Sequence, residues 1–447
     1  MQSLVTYCNI NIGRGHRPLP FKPESTMKKI ILYTHNPIRD PITDDCLTVA
    51  LRKMGHLVWR RNYLDNDRNM VVYIKPDIVI MPELRCEYSI DFSNQCKAWG
   101  IQIVVRPCEV GISEESIPNI TDDYRRAIFG ENWPCNNSID LMLFWGPKMR
   151  DLFIKHGGID PSKAVAVGGI GFDQYFLPPP PDEIPRTEKK RLMFATGFAY
   201  ADRNPEYSVP EAKPEDPLHR DMVMTDLKGR AVWFNLIKRF WAEHGNDWEI
   251  WVKMHPGEKQ EVYEAVLGNI VAYCPQLPAV RAIPYVDLVI HAGSTMAYES
   301  HLLNKPAINV SNVCQDVIVS KISPNVDTFD ELVHAVTTTD LTKSNADASI
   351  IEIMERDYYG TTDGKASERA AEEINKLPDN KTSIPDEWPV STVVKYATPC
   401  VLKNVEIWHC KACANQYHVQ GPREMVKCPF CGIGNVRATA PTPKPGG

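Results

Sequence analysis

The 447-residue sequence predicts an α/β protein with two doubly wound Rossmann-like domains that face a cleft, followed by a small cysteine-rich module. Three observations lead to this prediction. Segments typical of strands and of helices alternate almost throughout residues 28–377. The strand segments are continuous apolar runs, a pattern typical of parallel strands that are buried on both faces. The stretch LPPPPDEIP (177–185) divides the alternation into two halves, because four consecutive prolines continue neither a helix nor a central strand.

The first half begins with the strand KKIILYT (28–34), and DDCLTVALRKMG (44–55) has the apolar spacing of a helix that ends at Gly55. Further strands are predicted in DIVIMPE, IQIVVR and DLMLFWG. Because Met27 precedes the first good strand, we assign residues 1–26 to an N-terminal extension and residues 27–180 to the first domain. The alternative is that the prolines form a surface loop inside a single domain.

The second half repeats the scheme, and we assign residues 187–378 to the second domain. Residues 199–226 are rich in proline and charge, which predicts a long loop. The predicted strands are RLMFATGF (191–198), WEIWVKMHP (248–256), VDLVIHAG (286–293) and PAINV, and the predicted helices are LKGRAVWFNLIKRFWAEHG (227–245), EKQEVYEAVLG, STMAYESHLLN, TFDELVHAVTT and KASERAAEEINKL (365–377).

Charge and composition exclude some classes of protein. The net charge is −6, and the six Lys/Arg and two Glu from Tyr396 onward give that tail +4, so the rest of the chain carries −10. This balance argues against a nucleic-acid-binding surface over the whole protein. No apolar run reaches the ~20 residues of a membrane span, and the N-terminus lacks a secretory apolar core. Most of the thirteen cysteines occur singly, so we expect a reducing, cytoplasmic location.

The stretch HAGSTMAYESHLLNKPAINV indicates an anion site. Gly293, Ser294 and Thr295 fall where a strand ends and a helix begins, and the N–H groups of a first helical turn attract a diphosphate. Glu299 lies one helical turn further, where a carboxylate accepts two hydrogen bonds from a ribose diol. The alternative is that Ser294 or Thr295 only caps the helix and that Glu299 is a solvated helix residue.

The strand WVKMHP strengthens this interpretation. Lys253 and His255 are two residues apart and therefore lie on one side of a strand, at its carboxyl end. A cation and an imidazole at this position suit a phosphate. The alternative for His255 is a hydrogen-bonded loop residue before a proline.

The pattern K-x-H-P, followed by D-L-V-I-x-x-x-S-T-x-x-x-E-x-x-x-x-x-K-P, resembles the C-terminal half of GT-B-fold glycosyltransferases. The likeness is strongest to the surface-carbohydrate (surface polysaccharide) biosynthesis type. The chain is similar also to the glycerophosphotransferases of teichoic-acid synthesis and to nucleotide-sugar 2-epimerases. KPDIVIMPELR, VVRPCEVG, LFWGPKMRDLF, VAVGGIGFD and DGKASERAAEEI extend the resemblance over residues 28–377.

The resemblance implies a nucleotide-sugar donor, a UDP-sugar or similar, in the second domain and an acceptor against the first. Gly293, Ser294 and Thr295 would hold the diphosphate, with His255 beside it and Glu299 on the ribose. Such enzymes usually need no catalytic metal. The entry PIRDPITDD of the first helix and Gly257 in HPGE depart from the pattern.

Transfer of the sugar places two chemical demands on the protein. The leaving diphosphate must be neutralised, a task for Lys253, His255 and the helix N-terminus. An inverting reaction also needs a general base, for which Glu83 and Glu109 are candidates at strand ends. We favour Glu109, because it closes a strand that should reach the cleft. The alternative for it is a structural ion pair with Arg106 or Arg85.

The cysteine-rich module, residues 396–437, contains two C-x-x-C pairs separated by fourteen residues. Cys410, Cys413, Cys428 and Cys431 are predicted to bind a structural Zn²⁺ in a zinc ribbon, because four thiolates complete a tetrahedral site. The alternative is a reduced, metal-free tail. Such ribbons bind nucleic acid, bind protein or only brace a fold, and the sequence leaves these three roles open. Residues 438–447 are predicted to be a disordered tail.

The predicted function is therefore glycosyl transfer from a nucleotide sugar to an acceptor, a surface-glycan precursor. The first alternative is a virus-type DNA glycosyltransferase that modifies hydroxymethylated bases while the ribbon contacts DNA. Two further alternatives are a nucleotide-sugar epimerase and a non-catalytic binding or scaffold protein.

Overall fold

The computed structural model describes residues 27–34, 40–62, 68–82, 84, 87–107, 135–178, 184–185, 187–202, 217–274, 277–313, 318–387, 406–409 and 416–419. The chain divides into two compact units, with the division between Trp388 and Pro389. The predicted extension (1–26) and tail (438–447) lie outside the described residues, as do all four cysteines of the predicted ribbon.

The first sheet of the larger unit has six strands, all paired in parallel. Every residue of three of its strands is buried, which explains why these segments are continuous apolar runs. The spatial order is β2-β1-β3-β4-β5-β6. The strands are β1 (Lys29–Thr34), β2 (Leu57–Asn62), β3 (Ile78–Met81), β4 (Gln102–Val105), β5 (Leu141–Phe144) and β6 (Ala164–Ala166).

The second sheet of the same unit also has six parallel strands, in the order β12-β11-β10-β7-β8-β9. The prediction of two parallel, helix-covered sheets is thus confirmed. The strands are β7 (Lys190–Ala195), β8 (Trp248–Lys253), β9 (Ala272–Tyr273), β10 (Leu288–His291), β11 (Ala307–Val310) and β12 (Asn325–Val326).

Strand order identifies where each sheet can bind a ligand. In the second sheet the chain starts at β7, proceeds to one side through β8 and β9, and then crosses to β10 on the other side. The loops after β7 and β10 therefore diverge, which opens a crevice outside the carboxyl ends of these two strands. The first sheet has the corresponding point between β1 and β3.

Helices cover both sheets, and the last ten residues of one predicted loop are helical. The helix predicted over 227–245 begins ten residues earlier, at Pro217, inside the predicted loop 199–226. Proline is tolerated in a first helical turn, whose N–H groups have no helical partner in any case, so its presence did not exclude a helix. Among the described helices, none combines the length and the apolar character that a membrane span requires.

The α-helices are α1 (Pro41–Lys53), α2 (Arg68–Ile74), α3 (Glu87–Ala98), α4 (Cys135–Ser138), α5 (Pro147–Gly157), α6 (Pro217–His244), α7 (Gln260–Leu267), α8 (Ala279–Ala282), α9 (Met296–Leu302), α10 (Phe329–Thr338), α11 (Ala348–Ile353) and α12 (Ala366–Asn375). A π-helical turn, Met354–Tyr359, continues α11. Short 3₁₀ helices include Ile170–Phe176 after β6 and Ala199–Asp202 after β7.

The last helix of the larger unit returns to the first sheet. Ala370 and Ile374 of α12 are fully buried in a core that contains Leu47 of α1 and strand residues of the first sheet. The buried carboxylate of Asp173, in the 3₁₀ helix after β6, accepts hydrogen bonds from the backbone N–H of Ala366 (3.0 Å) and of Ser367 (2.6 Å). The chain therefore crosses back from the second sheet, and the first sheet supplies the cap of its final helix.

Candidate functional site

Polar residues lie at the carboxyl ends of three strands beside the crevice between β7 and β10. Thr196 and Gly197 follow β7, Lys253 ends β8, and residues 293–295 follow β10. Gly197 is exposed, and a Cβ added there would meet no atom within 4 Å. The carboxyl ends of these strands thus border open space, as expected of a ligand crevice in an open α/β sheet.

His291 positions the loop after β10. Its ring is fully buried, Nδ1 accepts from the backbone N–H of Ser294 (3.3 Å), and Nε2 lies 2.7 Å from the hydroxyl of Ser323. Because Nδ1 is the acceptor, we assign the ring proton to Nε2, which donates to Ser323. Burial lowers the pKa of His291 to about 3, so the ring is neutral at physiological pH.

A second buried side chain fixes Gly293. The N–H of Gly293, whose φ is +62°, donates to Oδ1 of Asn309 (2.8 Å), and Nδ2 of Asn309 donates to Asn325 (2.6 Å). The N–H groups of Gly293 and Ser294 therefore donate to the protein and not into the crevice. The groups of this loop that remain for an anion are the hydroxyls of Ser294 and Thr295 and the backbone N–H of Thr295.

The start of α9 is partly exposed. The helix begins at Met296, whose N–H donates to the Ser294 hydroxyl oxygen (3.3 Å). This bond fits the capping alternative for Ser294. Thr295 caps nothing with its side chain, and within the described part of the chain neither its N–H nor its hydroxyl has a hydrogen-bond partner. Both residues are partly exposed, so the helix end is accessible from the crevice.

Lys253 ends β8, the strand beside β7. It is 7% exposed, and its Nζ donates to the backbone carbonyl of Met254 (3.3 Å). Burial lowers the pKa of Lys253, and the nearby acidic groups of Cys274, Glu299 and Glu258 act in the opposite direction. The structure thus brings Lys253 and Glu299 within electrostatic range of each other, although they lie on different elements.

His255 lies in the turn beyond β8, which ends at Lys253, so the prediction that both residues share one side of a strand is wrong. The side chain is exposed, and its Nδ1 accepts from the N–H of Gly257 (3.1 Å), which leaves the proton of a neutral ring on Nε2. Its backbone N–H donates to Glu258 (2.7 Å). Glu258 of the HPGE stretch was not among the predicted site residues.

Glu299 is partly buried, and its carboxylate meets an element that follows the first sheet. The hydroxyl of Tyr175, in the 3₁₀ helix after β6, lies within hydrogen-bond reach of its carboxylate; burial first, and then the Glu299 charge, raise the pKa of Tyr175. The neighbouring rings of Phe172 and Tyr298 meet edge to face with centroids 5.0 Å apart. The alternative that Glu299 is a solvated helix residue is therefore wrong. Sequence reasoning missed Tyr175, which carries no local motif.

On the first sheet, Glu83 and Glu109 lie outside the described residues. Arg106, which follows β4, pairs with Asp44 of α1 (Nη2–Oδ1 2.6 Å), and both side chains are buried. Burial raises the pKa of Asp44, and the Arg106 charge opposes this shift. Arg106, considered above as a structural partner of Glu109, thus has a carboxylate partner in α1.

The predicted metal ligands also lie outside the described residues. In the described part of the chain, no group of three or more His, Cys, Asp or Glu side chains is placed to hold a metal. In the smaller unit, β13 (Glu406–His409) and β14 (Gln416–Val419) pair antiparallel, with His409 opposite Gln416. Cys410 and Cys413 therefore fall in the connection between two paired strands.

No protein-family model and no curated protein matches this chain. Among solved structures, S. aureus MnaA with UDP is 16% identical, with a TM-score of 0.47 over 78% of this chain and 96% of MnaA. The wall teichoic acid polymerase TagF is 13% identical, with a TM-score of 0.45 over 78% of this chain and 89% of TagF. Acinetobacter baumannii MurG is 8% identical, with a TM-score of 0.36 over 78% of this chain and all (100%) of MurG. The fold class, an α/β protein with two Rossmann-like sheets, is defined by the strand orders themselves.

Proposed function

We propose that this chain is a glycosyltransferase that binds a nucleotide-sugar donor in the crevice between β7 and β10. The observation that carries the proposal is the convergence of a buried cation, a partly exposed helix start and a partly buried acid at this crevice. These are Lys253, Thr295 and Glu299. Sequence resemblance to GT-B glycosyltransferases supports the same activity.

The donor's diphosphate is the leaving group of the reaction and needs positive charge and hydrogen-bond donors. Lys253 supplies the charge, and its low exposure strengthens the interaction because little water competes. Thr295 offers its N–H and hydroxyl, Ser294 its hydroxyl, and His255 its Nε2–H. The proposed diphosphate site thus differs from the one predicted from sequence, because Gly293 contributes through its backbone shape and not through its N–H.

Glu299 is the proposed ribose acceptor. A carboxylate accepts two hydrogen bonds from adjacent hydroxyls, and Glu299 lies one turn inside the helix that begins beside the diphosphate. This arrangement sets the nucleoside against α9.

The acceptor is proposed to lie against the first sheet. We propose a surface-glycan precursor, on the basis of the sequence resemblance, and Glu109 as the general base of an inverting reaction. Tyr175, which interacts with the Glu299 carboxylate, belongs to a 3₁₀ helix that follows the first sheet, so an acceptor held by the first sheet would meet the donor between the two sheets.

A structural zinc ion is proposed for Cys410, Cys413, Cys428 and Cys431. The first cysteine pair falls in the connection of an antiparallel strand pair, which suits a ribbon. Four thiolates leave no open coordination position, so the metal would hold the small module together and take no part in transfer.

A melting-temperature screen against nucleoside diphosphates and nucleotide sugars tests the activity class, because a ligand of the native state raises its stability. We expect stabilisation by at least one nucleoside diphosphate, and the absence of any response would refute the proposal. Incubation with the labelled nucleotide sugar then separates acceptors. Label on a lipid-linked saccharide supports the surface-glycan assignment, label on hydroxymethylated DNA replaces it, and conversion of the free donor alone indicates an epimerase.

The variant Glu299→Gln tests the ribose role. We expect it to weaken UDP binding about tenfold, the loss of one hydrogen bond to a charged group, and to reduce the preference for UDP over 2′-deoxy-UDP. Glu372→Gln is the control, since Glu372 is an exposed carboxylate on α12. Unchanged discrimination between the two nucleotides would remove Glu299 from the site.

A further inference from the structure

The carboxylate of Glu258 accepts four hydrogen bonds in the turn after β8. Its Oε2 accepts from the Thr196 hydroxyl and from the backbone N–H of His255 (2.7 Å). Its Oε1 accepts from the Tyr263 hydroxyl and from the backbone N–H of Phe198 (3.2 Å). Both oxygens are therefore fully engaged, a demanding arrangement for a residue in a short turn.

The four donors come from two loops that flank the crevice and from one helix. Thr196 and Phe198 lie on either side of Gly197 in the loop after β7, and His255 begins the turn after β8. Tyr263 of α7 holds the carboxylate from the core, where its ring is fully buried. Glu258 thus ties two neighbouring strand ends to each other and to the body of the second sheet.

This tie determines what the two loops present to the crevice. With both neighbours anchored, exposed Gly197 is the part of its loop that faces open space. In the other loop, Nδ1 of His255 is already occupied by the N–H of Gly257, so Nε2 carries the proton that a phosphate oxygen can accept. The relative position of these two groups depends on one carboxylate.

We propose that Glu258 is a positioning residue, which holds the Gly197 loop and the His255 turn at the separation that binds the donor's diphosphate. This inference rests on the proposed function. The four donors stabilise the negative charge of Glu258, which reduces the repulsion between this carboxylate and an anionic ligand beside it. A bare carboxylate in the same place would repel the diphosphate.

The test compares UDP with uridine in calorimetric titrations of the full chain. The dissociation constant of uridine divided by that of UDP measures what the phosphates contribute to binding. In Glu258→Gln, one oxygen is replaced by an NH₂ group, which cannot accept. We expect the ratio to fall about tenfold, the loss of one or two hydrogen bonds to a charged group, while uridine binding stays unchanged. If another nucleoside diphosphate gives the largest rise in melting temperature, it and its nucleoside replace this pair.

The matched control is Glu249→Gln at the amino end of the same strand. Glu249 also accepts several hydrogen bonds, from Trp251 (2.8 Å), Arg191 (3.0 Å) and the Thr187 hydroxyl (2.8 Å). It is remote from the carboxyl ends, so its variant should lower stability without changing the ratio. An equal loss of UDP and uridine binding in Glu258→Gln would show a merely structural brace and overturn the inference.

A second pair of variants covers the case in which Glu258→Gln does not fold. Thr196→Val removes, at nearly constant shape, a hydroxyl that donates to Glu258 and accepts from the backbone N–H of His255 (3.3 Å), and Thr196→Ser keeps it. We expect the valine variant to lower the ratio and the serine variant to retain it. Equal ratios in the two variants would overturn the role of Glu258 alone, whereas a wild-type chain that binds no nucleoside diphosphate would overturn the proposed function as well.

Discussion

The buried ring of His291 makes stability depend on pH in a way that a single substitution can isolate. Its pKa is about 3 in the folded protein, against 6.5 for an unburied histidine. The unfolded chain therefore binds a proton as pH falls below 6.5, while the folded chain does so only near pH 3. Stability falls through this window, because the unfolded state takes up more protons.

The size of the effect follows from these two values. At pH 8 both states are unprotonated at His291, and the group contributes almost nothing to the pH dependence. At pH 5 the unfolded histidine is almost fully protonated and the folded one is neutral, which stabilises the unfolded state by about 2 kcal/mol relative to pH 8. Protonation in the folded state would also remove the acceptor of the Ser294 N–H, so acid is expected to loosen the loop beside the proposed diphosphate site.

Urea unfolding followed by tryptophan fluorescence at pH 8 and pH 5 measures this quantity. We expect His291→Asn to be less stable than the wild type at both pH values, because the ring leaves a gap. The difference between its free energies of unfolding at pH 8 and pH 5 should be about 2 kcal/mol smaller than in the wild type. His301→Asn is the control, since His301 is only partly buried and Glu355 opposes the lowering of its pKa by burial. An unchanged pH difference in His291→Asn would refute the assignment of a neutral, buried ring.

Two further predictions concern other parts of the chain. Asp173→Asn should lower the free energy of unfolding by about 1–2 kcal/mol, because an amide cannot accept from both Ala366 and Ser367; the exposed cap variant Asp160→Asn should change it little, and equal effects in urea titrations would contradict the account. Purified protein should contain about one zinc per chain by elemental analysis, and Cys428→Ser should reduce that content; a metal-free preparation with an ordered C-terminal module would contradict the ribbon.

The sheets were predictable because each strand has a strong local signal. In β3 and β5 every residue is apolar and buried, and in β4 the buried Gln102 at the first position is followed by three buried apolar residues. The start of α6 was not predictable, since Pro217 and the charges around it resemble a loop until tertiary packing selects the helix. Local pattern thus identifies buried elements better than their ends.

The same distinction between local signals and tertiary contacts applies to the candidate site. Ser294, Thr295 and Glu299 could be predicted as candidate site residues because strand, helix start and acid are close in sequence. Tyr175 and Asn309 were missed because they lie far from Glu299 and Gly293 in sequence. The fold brings them together, and no sequence motif indicates such a contact. The fold also decides that the Gly293 N–H donates to Asn309, which no sequence pattern indicated.

The return of α12 to the first sheet affects how this protein can be dissected. A gene fragment that ends at the proline-rich stretch 177–185 would encode all six strands of the first sheet. It would lack residues 366–375, which complete the core of that sheet. Such a fragment would present an apolar groove to water, and the complementary fragment would carry an orphan amphipathic helix. To produce the two halves separately, α12 should therefore be joined by a linker to the half that contains the first sheet, as in a circular permutant.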